Sequence, residues 1–264
     1  MARQRLGQHF LSDSGWQQRI LATLLLQPGD RWIEIGAGHG EMTHLLAGSE
    51  RRVVAIETDP VLAASLRETV DANPSEWPRV EIVNADVLAV DFARVGPEPF
   101  RVYGNLPYYI TSPILRRLFD HADRISSIHV VTQLEVAERI VAQPGSRAYG
   151  YLSTLCQLYT KPEIVLRLPP GAFRPPPKVQ SALLRMLLPG RRSSLRIPPE
   201  DEPRFLEFIQ TCFSQKRKTL RNNLRPLVAS GKIQQTLSIC GLRPDSRAEQ
   251  LTLEQFALLF AQLR

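Results

Sequence analysis

Cysteine is scarce in this chain. The three present, Cys156, Cys212 and Cys240, lie far apart and form no Cys-x-x-Cys pair. They cannot all be bridged, which argues against a disulfide-built secreted fold and for reduced thiols in a cytoplasmic protein. Histidine is thin as well: five residues without ligand spacing, so no metal is expected. No apolar run reaches the roughly 18–20 residues that cross a bilayer. The opening Met-Ala-Arg-Gln-Arg-Leu-Gly-Gln lacks the apolar stretch of a secretory signal. Acid is also in deficit: 26 Asp and Glu stand against 33 Lys and Arg, a net charge of +7. That imbalance favours a polyanionic partner, a nucleic acid or an anionic membrane surface. Strand signal disappears altogether beyond about residue 190.

What is present fits one large domain and a small one, at 264 residues and 43% hydrophobic. Residues 3–11 are neither helical nor strand-like, though Phe10 and Leu11 give the segment something to dock. A helix over 14–26 stops at Pro28-Gly29. Strand-like runs then alternate with helical ones: strands at 31–35, 53–56, 80–83, 101–103 and 128–132, helices at 41–46, 60–70, 111–121 and 133–141. Such alternation specifies an α/β protein with a doubly wound, largely parallel sheet. A helix at 149–159 and strands at 163–168 and 181–187 complete this part. The last two are joined by a stiff triple proline.

Polar residues fall at the carboxyl ends of these strands, where open α/β sheets bind ligands. The first strand runs into Gly36-Ala37-Gly38-His39-Gly40. A dinucleotide fingerprint wants its third small residue at position 41, which is Glu. Glu57 ends the second strand, placed to accept from both hydroxyls of a ribose. Asp86 ends the third; by itself it reads as a turn cap, yet it could also accept from an adenine amine. Asn105 ends the fourth, within Gly104-Asn105-Leu106-Pro107-Tyr108-Tyr109. There the Asn105 amide oxygen and the Leu106 carbonyl can both accept from an exocyclic amine, and Tyr108 offers a face for a flat base. The same hexapeptide also reads as an ordinary strand-to-helix turn. Three polar tips in successive βα units would line one crevice.

The pattern breaks at Pro189-Gly190-Arg191-Arg192, which places a boundary between residues 1–188 and 189–264. Beyond it, helices are expected at 204–213, 217–227, 233–240 and 253–263, the last opened by a capping box at Thr252. Lys216, Arg217, Lys218 and Arg221 share the second of these with no acid among them. An uncompensated run of this kind favours a phosphate-contacting surface.

Six motifs in order carry a resemblance covering residue 3 to the end. They are Gln8-His9-Phe10-Leu11, Glu34-Ile35-Gly36-Ala37-Gly38-His39-Gly40, Asn84-Ala85-Asp86-Val87, Asn105-Leu106-Pro107-Tyr108, Phe173-Arg174-Pro175-Pro176-Pro177-Lys178-Val179 and Lys216 through Leu224. Together they resemble the ribosomal RNA adenine dimethyltransferases, above all the branch that modifies the small subunit. The resemblance implies a class I S-adenosylmethionine-dependent methyltransferase: a Rossmann-like, mostly parallel seven-stranded sheet with a terminal antiparallel hairpin, plus a small all-helical C-terminal domain. It implies S-adenosylmethionine as cofactor, held by His9, Leu11, Gly36, Gly38, Glu57, Asp86 and Asn105. Asn105, Leu106, Pro107, Tyr108 and Phe173 would hold the target adenine, with Tyr108 and Phe173 stacking on it. Lys216, Arg217, Lys218 and Arg221 would contact RNA. The implied reaction is N6,N6-dimethylation of two adjacent adenosines near the 3′ end of small-subunit (16S) ribosomal RNA during assembly, by a monomer, without metal or membrane. The alternatives are a large-subunit resistance dimethyltransferase and a non-catalytic nucleic-acid-binding relative. Two positions depart from the family pattern: His9, where many members carry Asn, and Tyr109, where many carry a smaller polar residue.

Overall fold

The computed structural model describes residues 8–48, 50–92, 99–195, 197–228 and 230–263. Residues 3–7 of the expected N-terminal segment lie outside them. Two compact units are formed, one from residues 1–137 with 163–188, the other from 138–162 with 189–264.

The first unit is built on a sheet whose strands are β2 (Arg31–Ile35), β3 (Arg52–Glu57), β4 (Val80–Asn84), β5 (Phe100–Asn105), β6 (Ile125–Gln133), β7 (Lys161–Leu168) and β9 (Ser181–Leu187). Their order is β4-β3-β2-β5-β6-β9-β7. The five strands β4 to β6 are parallel neighbours, and β9 runs antiparallel to β6. The chain winds outward from β2 through α2 (Glu41–Leu46) to β3 and through α3 (Pro60–Ala72) to β4. It then returns to β5 on the other side of β2. That reversal between β2 and β5 is the switch point where a crevice opens in such sheets.

The strands form where β-branched and aromatic residues concentrate, and Val53, Ala55, Val102, Ile128 and Val130 are wholly buried. Asp59 caps α3 by accepting from the Val61 and Leu62 N–H groups, with Pro60 in its first turn. Helix α1 (Ser14–Leu24) is capped by Asp13 and stops two residues early, because Leu25 turns left-handed at φ 50°. One sheet face packs with α1 and α2 into a core that includes Ile20, Leu24, Trp32, Leu46, Tyr103, Phe173 and Leu183.

Two elements had no local sequence signal. Strand β1 (Phe10–Leu11) pairs antiparallel with β8 (Phe173–Arg174), Leu11 opposite Phe173. A two-residue pair between segments more than 160 residues apart has no periodicity to announce it.

The second unit contains α6 (Tyr151–Tyr159), α7 (Glu202–Cys212), α8 (Leu220–Leu224), α9 (Ser230–Ile239) and α10 (Leu253–Leu263). Helix α5 (Leu134–Val141) begins in the first unit and ends in this one. The expected single cut after residue 188 therefore misses a segment, residues 138–162. The reason is the fit at Gly190, where an added Cβ would lie 2.3 Å from the Thr160 backbone nitrogen and 2.5 Å from the Tyr159 carbonyl carbon. The stretch at the expected boundary is seated on the end of α6, with the Gly190 N–H donating to the Tyr159 carbonyl at 2.7 Å. Phe205, Phe208, Phe213, Phe256 and Phe260 interlock in the unit's interior. At Thr252 the capping box is formed: its hydroxyl accepts from the Gln255 N–H, and the Gln255 side chain accepts from the Thr252 N–H.

Candidate active site

At the switch point a crevice of about 320 Å³ opens, lined by the ends of β2 to β5 and by the segment at β1. That volume is at the lower end of the range for small-molecule clefts, about 300–1,000 Å³. His9, Gly36, Gly38, Glu57, Asp86, Asn105, Leu106, Pro107 and Tyr108 all line it. Leu11 and Phe173, expected beside them, do not. Both are buried, at 6% and 1% exposure, in the apolar core beneath the β1–β8 pair. The Phe173 ring therefore offers no open stacking face to the crevice.

Asn105 stands at the centre. Its Nδ2 donates to the His9 carbonyl at 2.8 Å. A carbonyl only accepts, so the amide's nitrogen must face it and Oδ1 is left to accept from a ligand. The Leu106 carbonyl has no partner among the described residues, whereas the Pro107 carbonyl accepts the Ile110 N–H at 3.2 Å and closes the turn. Two acceptors, Asn105 Oδ1 and the Leu106 oxygen, thus remain at the end of β5. Tyr108 is half-buried, its hydroxyl bonded to Ser181 Oγ at 2.8 Å. Its ring is stacked with His9 at 5.7 Å. The His9 Nδ1 lies 2.7 Å from the Pro175 carbonyl, which requires Nδ1 to carry the proton.

The other half of the crevice is shaped by Glu57. Its Oε2 accepts from the Gly38 N–H and its Oε1 from the Asp59 N–H, each at 2.9 Å. The carboxylate is thereby fixed, and each oxygen keeps a lone pair for a hydroxyl donor. Gly38 has φ 59°, and a Cβ there would stand 3.1 Å from the Phe10 ring. Glycine thus lets Phe10 close over the loop. Phe10 is a site residue the motif reading passed over, its signal being the glycine beneath it. Asp86 Oδ1 caps the Leu88 N–H at 2.9 Å, and the residue also lines the crevice.

Glu34, under the glycine loop, is 2% exposed and accepts from the Thr43 hydroxyl at 2.5 Å. Burial pushes its carboxyl up to about 8, against the Thr43 bond, with Glu41 and Glu57 adding to the rise. From about pH 4.5 to 8 the folded chain holds a proton that the unfolded chain releases, so this group's contribution to stability falls as pH rises. Glu34→Gln is expected to remove that loss. Its Tm should exceed the wild type's by at least about 4 °C at pH 9 and match it at pH 5, since 1 kcal/mol is worth about 2–4 °C in a chain of this size. Thermal melts at the two pH values check this.

In the second unit, Lys216, Arg217 and Lys218 are exposed but not helical. The expected helix 217–227 is only the five residues of α8, because Thr219 starts it as a cap and Pro226 prevents its extension. The three cations sit on the preceding turn. Asn223 pins that turn by donating to the Cys212 and Gln215 carbonyls, and Lys216 Nζ donates to the Arg147 carbonyl. Arg221 is half-buried on α8.

This strand order, the glycine loop and the polar strand tips define a class I methyltransferase. Among solved structures the fold is shared with a dimethyladenosine transferase from Plasmodium falciparum (TM-score 0.77, 23% identity, 96% of both chains). It is shared also with the 23S rRNA methyltransferase ErmE (TM-score 0.71, 29% identity, 96% of this chain and 99% of that one). The ribosomal RNA adenine dimethylase family model matches residues 1–264, and the chain belongs to that family. Relatives include the ribosomal RNA small subunit methyltransferase A of Koribacter versatilis, 42% identical over 98% of this chain and 94% of its own length. The protein of the same name from Acinetobacter baylyi is 38% identical, over 99% of this chain and 92% of its own length.

Proposed function

We propose that this chain transfers methyl groups from S-adenosylmethionine to the N6 amines of two adjacent adenosines near the 3′ end of small-subunit ribosomal RNA, two to each, during subunit assembly. It does so as a cytoplasmic monomer. The observation that carries the reading is the orientation of Asn105, whose Nδ2 is engaged by His9 and whose Oδ1 is left to a ligand, beside a Leu106 carbonyl with no partner among the described residues.

S-adenosylmethionine supplies a methyl group already activated on a sulfonium. The residues around it suit its parts: Glu57 for the ribose hydroxyls, Asp86 for the adenine amine, and the Gly36–Gly38 loop with Phe10 and His9 as walls. An adenine amine is a poor nucleophile because its lone pair is delocalised into the ring. Acceptance of its two N–H bonds by Asn105 Oδ1 and the Leu106 oxygen holds that lone pair toward the methyl donor. No strong base is needed, since the proton leaves after the nitrogen has become cationic. Tyr108 packs on the base, Pro107 fixes the turn, and Leu11 and Phe173 support the wall from beneath. A repeat on the monomethyl amine gives the dimethyl product.

Lys216, Arg217, Lys218 and Arg221 serve as phosphate contacts. Replacing all four with Gln is expected to leave cofactor binding intact and to weaken subunit binding. The slope of log affinity against log salt should flatten by roughly 0.7–0.9 for each lost contact; an unchanged slope places the RNA elsewhere. The function itself is tested by incubating the protein with labelled S-adenosylmethionine and either unmethylated small or unmethylated large subunits. Label entering small-subunit RNA is the expected result. Label confined to large-subunit RNA would transfer the reading to the resistance branch, and none in either would point to a non-catalytic relative.

A further inference from the structure

The crevice has an outer rim that the reaction above does not use. Tyr109 follows Tyr108 in the same 3-10 turn, yet it is 62% exposed and has no hydrogen bond or ring contact among the described residues. The neighbouring rings are committed. Tyr108 is tied to Ser181 and stacked with His9, and Phe173 is buried. Tyr108 is assigned to the target base, which leaves Tyr109 as the ring at the mouth with no role in the reaction.

A second observation concerns the loop at 174–180. It is bound to the crevice wall at both ends, through His9 to the Pro175 carbonyl and through Tyr108 to Ser181. Pro175-Pro176-Pro177 stiffens it. The loop carries Arg174 and Lys178, both exposed and neither paired with a carboxylate among the described residues. An open aromatic face combined with unpaired cations on a stiff loop is the combination that binds single-stranded nucleic acid: bases stack and phosphates follow the positive charge.

We propose that Tyr109, Arg174 and Lys178 hold the nucleotide flanking the target adenosine, its base stacked on Tyr109 and its phosphates paired with the two loop cations. This rests on the ribosomal RNA reaction proposed above. Since the two targets are neighbours, one of the two flanking nucleotides is the second adenine, and it is this one that the proposal seats on Tyr109 while the first is modified. Tyr109 then governs how readily modification passes from one to the other.

The test uses the full chain and unmethylated small subunits, with melting temperature and S-adenosylmethionine affinity measured alongside. Tyr109→Ala is expected to raise KM for subunits about tenfold, within the range for loss of one base–aromatic stack. It should also lower the share of second-adenosine product, leaving melting and cofactor affinity unchanged. Tyr109→Phe should keep the wild-type KM, since the ring remains. Arg174→Gln combined with Lys178→Gln should flatten the salt slope by about 1.4, or 0.7 for each single-strand phosphate. A Tyr109→Ala variant with wild-type KM and product ratio would overturn the inference, as would a phenylalanine variant as weak as the alanine one. An active wild type with an indifferent Tyr109→Ala refutes this inference alone. A wild type inert on small subunits refutes the functional reading and this inference with it.

Discussion

Asn105→Ala is expected to lower single-turnover methyl transfer by at least about a hundredfold, the cost of removing one preorganised polar group from a reacting centre. Subunit affinity should hardly change, because most of it comes from phosphate contacts remote from the amine. The substitution also frees the His9 carbonyl from its 2.8 Å bond. That loss is worth about 0.5–1.5 kcal/mol, or a few degrees in Tm, and it should loosen the β1 segment slightly. The two consequences are separable. Asn105→Asp keeps an oxygen for the amine but cannot donate to His9, so it should recover part of the rate without recovering the stability. Single-turnover rates beside thermal melts for both variants check the prediction. A fully active Asn105→Ala would remove the centre of the account.

The second large effect falls on cofactor binding. Glu57 would give two charge-assisted hydrogen bonds to ribose hydroxyls, each worth roughly 1.5–3 kcal/mol before water compensates. Glu57→Ala should therefore weaken S-adenosylmethionine binding by a hundredfold or more, at about 1.4 kcal/mol per tenfold. It also leaves the Gly38 and Asp59 N–H groups without their acceptor, so the glycine loop should lose stability too. Glu57→Gln retains one acceptor and loses the charge, and an intermediate affinity is expected. Calorimetric titration decides; an unchanged Kd for the alanine variant would sink the ribose assignment.

The sequence made the sheet legible because each strand was a short β-prone run, three in succession led into a polar tip, and a helical run followed most of them. Glu57, Asp86 and Asn105 were readable as strand tips, and a doubly wound order brings such tips to one crevice. Features set by pairing across the chain were not readable. The resemblance sets Leu11 and Phe173 against the ligands, and only the β1–β8 pair, joining distant segments, shows them buried together. Gly190 looks like a linker glycine, and only its approach to the end of α6 shows why residues 138–162 belong with the helical unit. The basic run looked helical from its spacing. The cap at Thr219 and the Asn223 bonds to two carbonyls made its first three cations a turn instead.

The central claim is that Asn105 and the Leu106 carbonyl hold an adenine amine of small-subunit RNA for two successive methyl transfers. The most direct test is nucleoside mass analysis, with mapping of the modified positions, after the wild-type protein has acted on unmethylated small subunits. N6,N6-dimethyladenosine at two adjacent positions near the 3′ end is the predicted result. Methyl groups on any other nucleoside, or adenosines that never pass the monomethyl stage, would contradict it.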